Sequence, residues 1–516
     1  MDFNDLLKKY LFDTHTDLKT VFLNRNVNKD NFTIYPYFFN CDMEEEFIEN
    51  SNWIGSFGGG TPTIIVSYSN GIESTDYDQY GGDNDKFPLI HLRDFHSMKK
   101  SYIDISEEFI LYFNLYKDKD NFILIDDGGN ESIAISIYGT EEVKIKTNLL
   151  FQFMSIKNYS LSLNFDLLEY EYKEEFNLNY SDVKCDYYKG NSEFGGFQKS
   201  IGKKIIKKSI ELKKNDKKYG DFIIGIDKFG ENLEFNSNYD NLSNNFVKKN
   251  GIPHYLTPIF FRKEVLEKYY SQTEKYTVID GELYCGGKWM LRLDLNNPNF
   301  VTAYLGDLGR DLPYTEHHYW KSFNVPPNGK ISEVEFKRSF MAEFTNPTDN
   351  VLIFKELLYK VNEHWNSKFQ YDLFKQLNES DEHYYKSFRI PLTNEQKDFD
   401  GQILSLSKII LESINTKEIN KYFRKNEIQT EDNLKGINGL KLYLKSIGFD
   451  AVEVDKEVGY FNMLYDLRSK LTAHRKSEGE VTKILTKHQL LDKDNKDKMI
   501  IIMERVNFTL NWLIKE

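Results

Sequence analysis

The hydrophobic period of this chain changes once, near Asp349, and that change limits what it can fold into. Before it, apolar residues alternate in short runs bounded by Gly, Asn and Asp, as half-buried strands require. After it they recur every three or four positions over long stretches, as amphipathic helices require. A chain of 516 residues is also too long for one ordinary core. The expectation is an α+β multidomain protein: a β-rich mixed module over 1–345, a helical connector over 346–394 and an all-α domain over 395–516. Polar sequence over 231–245 reads as loop and marks a candidate division of the first module near 230–250.

Within the first module, TPTIIVSYSN (61–70), NFILIDDGGNESIAISIYGTEEVKIKT (121–147), YSLSLNFDLLEYEY (159–172), KKYGDFIIGID (217–227) and KYTVIDGELYCGGKWMLRLDLN (275–296) read as strands. SYIDISEEFILYFNLY (101–116) and TNLLFQFMSIKN (147–158) read as helices. The Gly- and Pro-containing stretch 304–340 reads as a long packed loop, with Tyr314, Tyr319, Trp320 and Phe323 seeking burial. An aromatic share of 15% suits such strands, because Phe and Tyr favour half-buried sheet surfaces.

Beyond Asp349, residues 351–378 are helical in period. Thr393, with Gln396 three positions on, forms a capping-box pattern before a helix burying Phe399, Ile403, Leu406, Ile410 and Ile414. A shorter helix stops at Gly448, another buries Phe461, Leu464, Leu467 and Leu471, and residues 498–516 close a bundle of four or five helices.

Charge and cysteines narrow the function classes. The net charge of −13 excludes a general nucleic-acid coat, since phosphate affinity rests on Lys and Arg. The acidity belongs to the first three-quarters, because residues Glu395 to Glu516 hold 21 basic and 20 acidic side chains. A local basic patch there can still meet RNA. Cys41, Cys185 and Cys285 show no paired or CxxC spacing, so three free thiols in a reducing compartment are expected. The acidic N-terminus has no apolar leader, and no run of about 18 apolar residues occurs. Together these predict a cytoplasmic protein with no membrane partner. GSFGGG (55–60) lacks the GK[ST] ending of a phosphate cradle and reads as a turn. The adjacent His317 and His318 lack a third ligand at a metal-site spacing, and no metal or cofactor is expected. His91 and His96 in HLRDFH have no nucleophile or carboxylate paired at a useful spacing.

LYDLRSKLTAHRKSEG (464–479) is the stretch that carries chemistry. Arg468 and His474 suffice for RNA cleavage without metal, because RNA supplies its own nucleophile, the 2′-hydroxyl. A histidine near pKa 6.5 moves the proton, and a guanidinium holds the charge that develops on the phosphorane oxygens. In an unbroken helix the two side chains would lie about 120° apart around the axis and about 9 Å apart along it. They converge if the helix bends or ends near Thr472, or if two subunits pair their copies. Chance alone supplies about 0.6 such Arg–His spacings in a chain of this composition. A second, Arg310 to His317, is read as a coincidence of spacing in a loop.

An all-α C-terminal domain, a penultimate helix reading YFNMLYDLRSKLTAHR and a closing apolar helix together resemble the HEPN family. Its motif is an arginine, a polar residue, three to five further residues and a histidine, matched here by Arg468, Ser469 and His474. Ser469 stands where Asn, Asp or His is more usual in that family. The resemblance covers about Asp398 to Glu516. It implies a metal-independent endoribonuclease that dimerises into a composite site, with Arg468 and His474 catalytic. Ser469, Lys470, Arg475 and Lys476 are the candidate RNA contacts. An acidic β-rich module joined to such a domain resembles the sensor half of an abortive-infection defence protein, which implies a phage-derived trigger. The alternative is a non-catalytic HEPN scaffold or dimerisation module with an N-terminal region that binds a protein or other ligand.

Overall fold

The computed structural model describes residues 3–12, 16–49, 63–78, 86–95, 97–207, 217–327, 329–429, 436–469 and 478–515. The chain is mixed, with sheets dominating its N-terminal half and helices its C-terminal half. It forms two compact units, one of residues 1–126 and 130–216, the other of 127–129 and 217–516. The polar stretch that suggested a division near 230–250 lies inside the second unit.

The first unit is built on a ten-stranded sheet whose strand pairings are antiparallel among the described residues. At its centre Asp30–Asn40 pairs with Leu18–Val27 on one side and Tyr159–Tyr170 on the other. The meander Asn121–Ile125, Glu131–Tyr138 and Glu142–Lys146 extends one flank, and the hairpin Val183–Ser192 with Gly195–Ile206 extends the other. The helix Thr147–Lys157 buries Leu149, Leu150, Phe153 and Met154, one stripe of its surface, in the core under this sheet. Asn158 ends it in the left-handed region at φ 58°.

The second unit holds two cores. One gathers short antiparallel strands and two helices around Phe261, Tyr269 and Trp320. The other is helical and begins with Asn350–Phe369, whose Val351, Phe354, Val361 and Trp365 are buried with the side chains of the later helices. The segment read as a connector therefore supplies the first helix of that core. From Gln396 on, seven helices follow among the described residues, rather than four or five: Gln396–Ile410, Thr416–Lys425, Gly436–Ser446, Ala451–Glu457, Gly459–Leu467, Glu478–Lys487 and Asn495–Lys515.

Several local expectations change for identifiable reasons. The segment 101–116 is a strand, Tyr102–Ile105, followed by a six-residue helix, Glu107–Tyr112. Ile103 and Ile105 alternate into the core, and Tyr102–Ile105 pairs with Ile90–Arg93. The polar loop over 231–245 contains the strand Asn232–Asn236, paired with Asp221–Ile226. Its polarity follows from its exposure, with four of its five residues facing solvent.

The largest difference is at 304–340, which is not a loop but three helices, Leu305–Asp311, Tyr314–Phe323 and Glu333–Phe340. Gly306 and Gly309 serve close packing rather than breaking the chain. A Cβ on Gly309 would lie 1.7 Å from the Ser237 carbonyl oxygen, and one on Gly306 would lie 2.2 Å from the Tyr255 ring. Pro313 sits just before the first turn of its helix, where no N–H partner is lost. Trp320 is fully buried, as expected, while Tyr314 stays exposed.

Thr393 does not cap the helix that starts at Gln396; Glu395 holds that position. Asp398 in the first turn instead accepts from the Thr393 N–H at 3.1 Å. Ile414 is buried but lies beyond this helix, bridging to Phe374. Gly448 does stop its helix, at φ 106°.

Candidate functional site

The Arg468 segment is positioned by its own amphipathic helix. Phe461, Leu464 and Leu467 of Gly459–Leu467 are all buried in the helical core, which fixes the rotation of the helix and the direction in which its end emerges. The regular α-helix ends at Leu467. Arg468 is its C-cap, and the Arg468 N–H is shared between the Leu464 and Tyr465 carbonyls, the three-centre bond common at helix termini.

The Arg468 guanidinium pairs with the Glu412 carboxylate, which follows the helix Gln396–Ile410 and also receives the Lys408 ammonium at 2.9 Å. The side chains of Arg468 and Glu412 are 31% and 35% exposed, so a phosphate can approach the cation from solvent. Ser469 is half-buried beside it. Lys470, His474, Arg475 and Lys476 lie outside the described residues, as do Leu471 and Thr472. The structure therefore places Arg468 and Ser469 of the sequence-derived set.

A second histidine, passed over in the sequence, stands near this helix end. Asp466, two positions before Arg468, takes an ion pair from Lys487 at 3.1 Å and lies 3.6 Å from His488 Nε2. Burial lowers the His488 pKa, with the Asp466 carboxylate opposing that shift. Its backbone carbonyl accepts from Arg505 Nη1 at 3.0 Å, tying it to the closing helix Asn495–Lys515. No sequence spacing reveals this cluster, because Asp466, His488 and Arg505 come from three helical segments.

His317, by contrast, is a structural histidine. His317 is buried, and both of its ring nitrogens are occupied by backbone. Nδ1 accepts from the Gly220 N–H at 2.8 Å, so the proton sits on Nε2, 3.0 Å from the Leu308 and Leu312 carbonyls. Burial lowers its pKa, which keeps the ring neutral. Neither nitrogen has a lone pair left for a metal, while His318 faces solvent. Arg310, the partner in the second Arg–His spacing, is engaged by Asp307 at 3.2 Å and Asp311 at 2.7 Å.

His91 sits on the strand Ile90–Arg93 opposite Asp104, where burial lowers its pKa against the pull of that carboxylate. His96 and GSFGGG lie outside the described residues. Among the described residues no group of three or more His, Cys, Asp or Glu side chains is placed to hold a metal ion, and no helix is long and apolar enough to cross a membrane. The three cysteines are free thiols.

Comparison with family models, curated proteins and solved structures finds no match for the chain.

Proposed function

We propose that the C-terminal helical part is a metal-independent endoribonuclease of the HEPN kind, held in check by the N-terminal region and serving in anti-phage defence. The observation that carries this reading is the position of Arg468. It is a guanidinium about a third exposed at the C-terminal end of a helix anchored in an all-helical core, and it opens the RSKLTAH motif.

In this reading the RNA 2′-oxygen attacks the adjacent phosphorus while its proton passes to the His474 imidazole. The bond from phosphorus to the 5′-oxygen breaks, that oxygen takes up a proton, and a 2′,3′-cyclic phosphate remains. Arg468 stabilises the charge on the non-bridging oxygens, and Ser469, Lys470, Arg475 and Lys476 contact the backbone. Two copies paired through the helical part would bring one Arg468 to the other His474.

The test is cleavage of total RNA in EDTA by the wild type and by His474→Ala and His488→Ala proteins, with the cut ends mapped. The expected result is cyclic phosphate ends from the wild type and the His488→Ala protein. Activity should fall at least about 100-fold in the His474→Ala protein. Activity that survives His474→Ala but fails in His488→Ala would move the base to the Asp466–His488 cluster. No RNA cleavage by an oligomeric wild type, together with no growth arrest in phage-challenged cells that His474→Ala relieves, would favour the scaffold reading.

A further inference from the structure

The second unit contains a cavity of about 620 Å³ whose chemistry the ribonuclease reading does not use. It lies between the N-terminal end of Asn350–Phe369, the segment 263–270 and the first turn of Asn495–Lys515. Three lysines line it. Among the described residues the ammonium groups of Lys263, Lys355 and Lys496 make no hydrogen bond or ion pair, and that of Lys355 lies over the Tyr385 ring, 5.2 Å from its centroid. Arg389 lines the same cavity against the Tyr270 ring, 5.1 Å from its centroid; its Nη2 is ion-paired to Asp398 at 3.2 Å, and its buried Nε–H has no acceptor among the described residues.

Asp349 is the carboxylate that acts most strongly on Lys263 and Lys355, but it already accepts from the Val351 and Leu352 amides as a helix cap. Asp494 accepts from Asn394 and from the Asp497 amide. Glu264 and Asp497 also line the cavity. Partly buried ammonium groups without an ion-pair partner are costly, and native structures normally pair them. Three ammonium groups without an ion pair around one concave space therefore call for an anion.

We propose that this cavity binds a small molecule carrying two or more phosphate groups, of the nucleoside di- or triphosphate class, with the phosphates on Lys263, Lys355 and Lys496. A space of this size accepts such a ligand, and the two or more negative charges of a polyphosphate match the three ammonium groups. The Arg389 Nε–H supplies a further donor. The amides at the N-terminus of Asn350–Phe369 add positive potential at the same wall. The site is independent of the nuclease chemistry.

Burial pushes the Lys355 pKa down to about 8, and burial lowers Lys263 as well, with Lys496 adding to the effect. Both shifts are those of cations partly withdrawn from water. They give the empty protein a signature that a structural lysine lacks. Lys355→Met should raise the melting temperature of the unliganded chain by about 2 °C at pH 7. That gain should shrink as pH rises from about 8 toward 10.5. In that window the unfolded chain holds a proton that the folded wild type has lost, so the wild type gains stability with pH and the Met variant does not.

Titration of the full chain with ATP, pyrophosphate and inorganic phosphate, by calorimetry and thermal shift, tests the site. The expected result is binding of ATP or pyrophosphate that weakens at least about tenfold in Lys355→Met and in Lys263→Met. Absence of binding, affinity unchanged in both variants, or inorganic phosphate binding as tightly as pyrophosphate would overturn the proposal. So would a fall in melting temperature of the unliganded Lys355→Met protein.

Discussion

An Arg468→Ala protein is expected to cleave RNA at least about 100-fold more slowly than the wild type while unfolding at nearly the same temperature. The first half follows from the role proposed for the guanidinium, since removing one donor to developing phosphorane charge costs about 3 kcal/mol of transition-state stabilisation. The second half follows from the structure. The Arg468–Glu412 pair is about a third exposed on both sides, and such pairs contribute less than about 1 kcal/mol to folding. A variant that loses activity and stability together would instead mark Arg468 as a structural residue.

Glu412→Gln should act in the opposite direction. It removes the carboxylate that competes with phosphate for Arg468, so RNA affinity should rise by up to about fivefold at low salt. The gain should fade as salt is added. Steady-state cleavage by the two variants over a salt series checks both signs, and a Glu412→Gln protein slower than the wild type would contradict the competition.

The largest expected effect on stability lies elsewhere in the second unit. Glu316 is 4% exposed and accepts from Lys268 Nζ through both oxygens, at 2.6 and 2.7 Å. It also accepts from the Tyr269 hydroxyl at 2.7 Å, and that hydroxyl in turn accepts from Trp320 Nε1 at 2.6 Å. Lys268→Met strands a buried carboxylate on one remaining hydroxyl donor and should destabilise the unit by about 3 kcal/mol. Glu316→Gln in the same chain should restore most of that loss, because the neutral amide no longer needs a counter-charge and still accepts from Tyr269. Urea unfolding of the two single variants and the double variant gives the coupling. Strictly additive losses would show that the four groups do not act as one network.

This network also shows where reading the sequence reaches its limit. Glu316 and Trp320 fall in the stretch taken for a loop, because Gly306, Gly309 and Pro313 resemble punctuation there. Their purpose is contact with Tyr255, with the Ser237 carbonyl and with a helix start, and those partners become visible only when distant segments meet. The same holds for Asp466 and His488, and for the lysines at 263, 355 and 496. Each lies far from the others in the chain and is unremarked by any local spacing.

Periodicity by itself determined the change from strands to helices near Asp349, the meander over 121–147, the helix over 147–158 and the burial of Phe461, Leu464 and Leu467. These depend on which face of a local element is apolar, and that information is written every two or every three to four residues. The Arg468–His474 spacing and the family resemblance, not periodicity, singled out Arg468 as a candidate. Tertiary structure alone decided that Asn350–Phe369 belongs to the helical core and that His317 is spent on backbone. It also decided that Arg468 meets Glu412 and that three lysines face one cavity. Such facts depend on which surfaces pack together, and the free energy of packing resides in pairs of residues that no local pattern links.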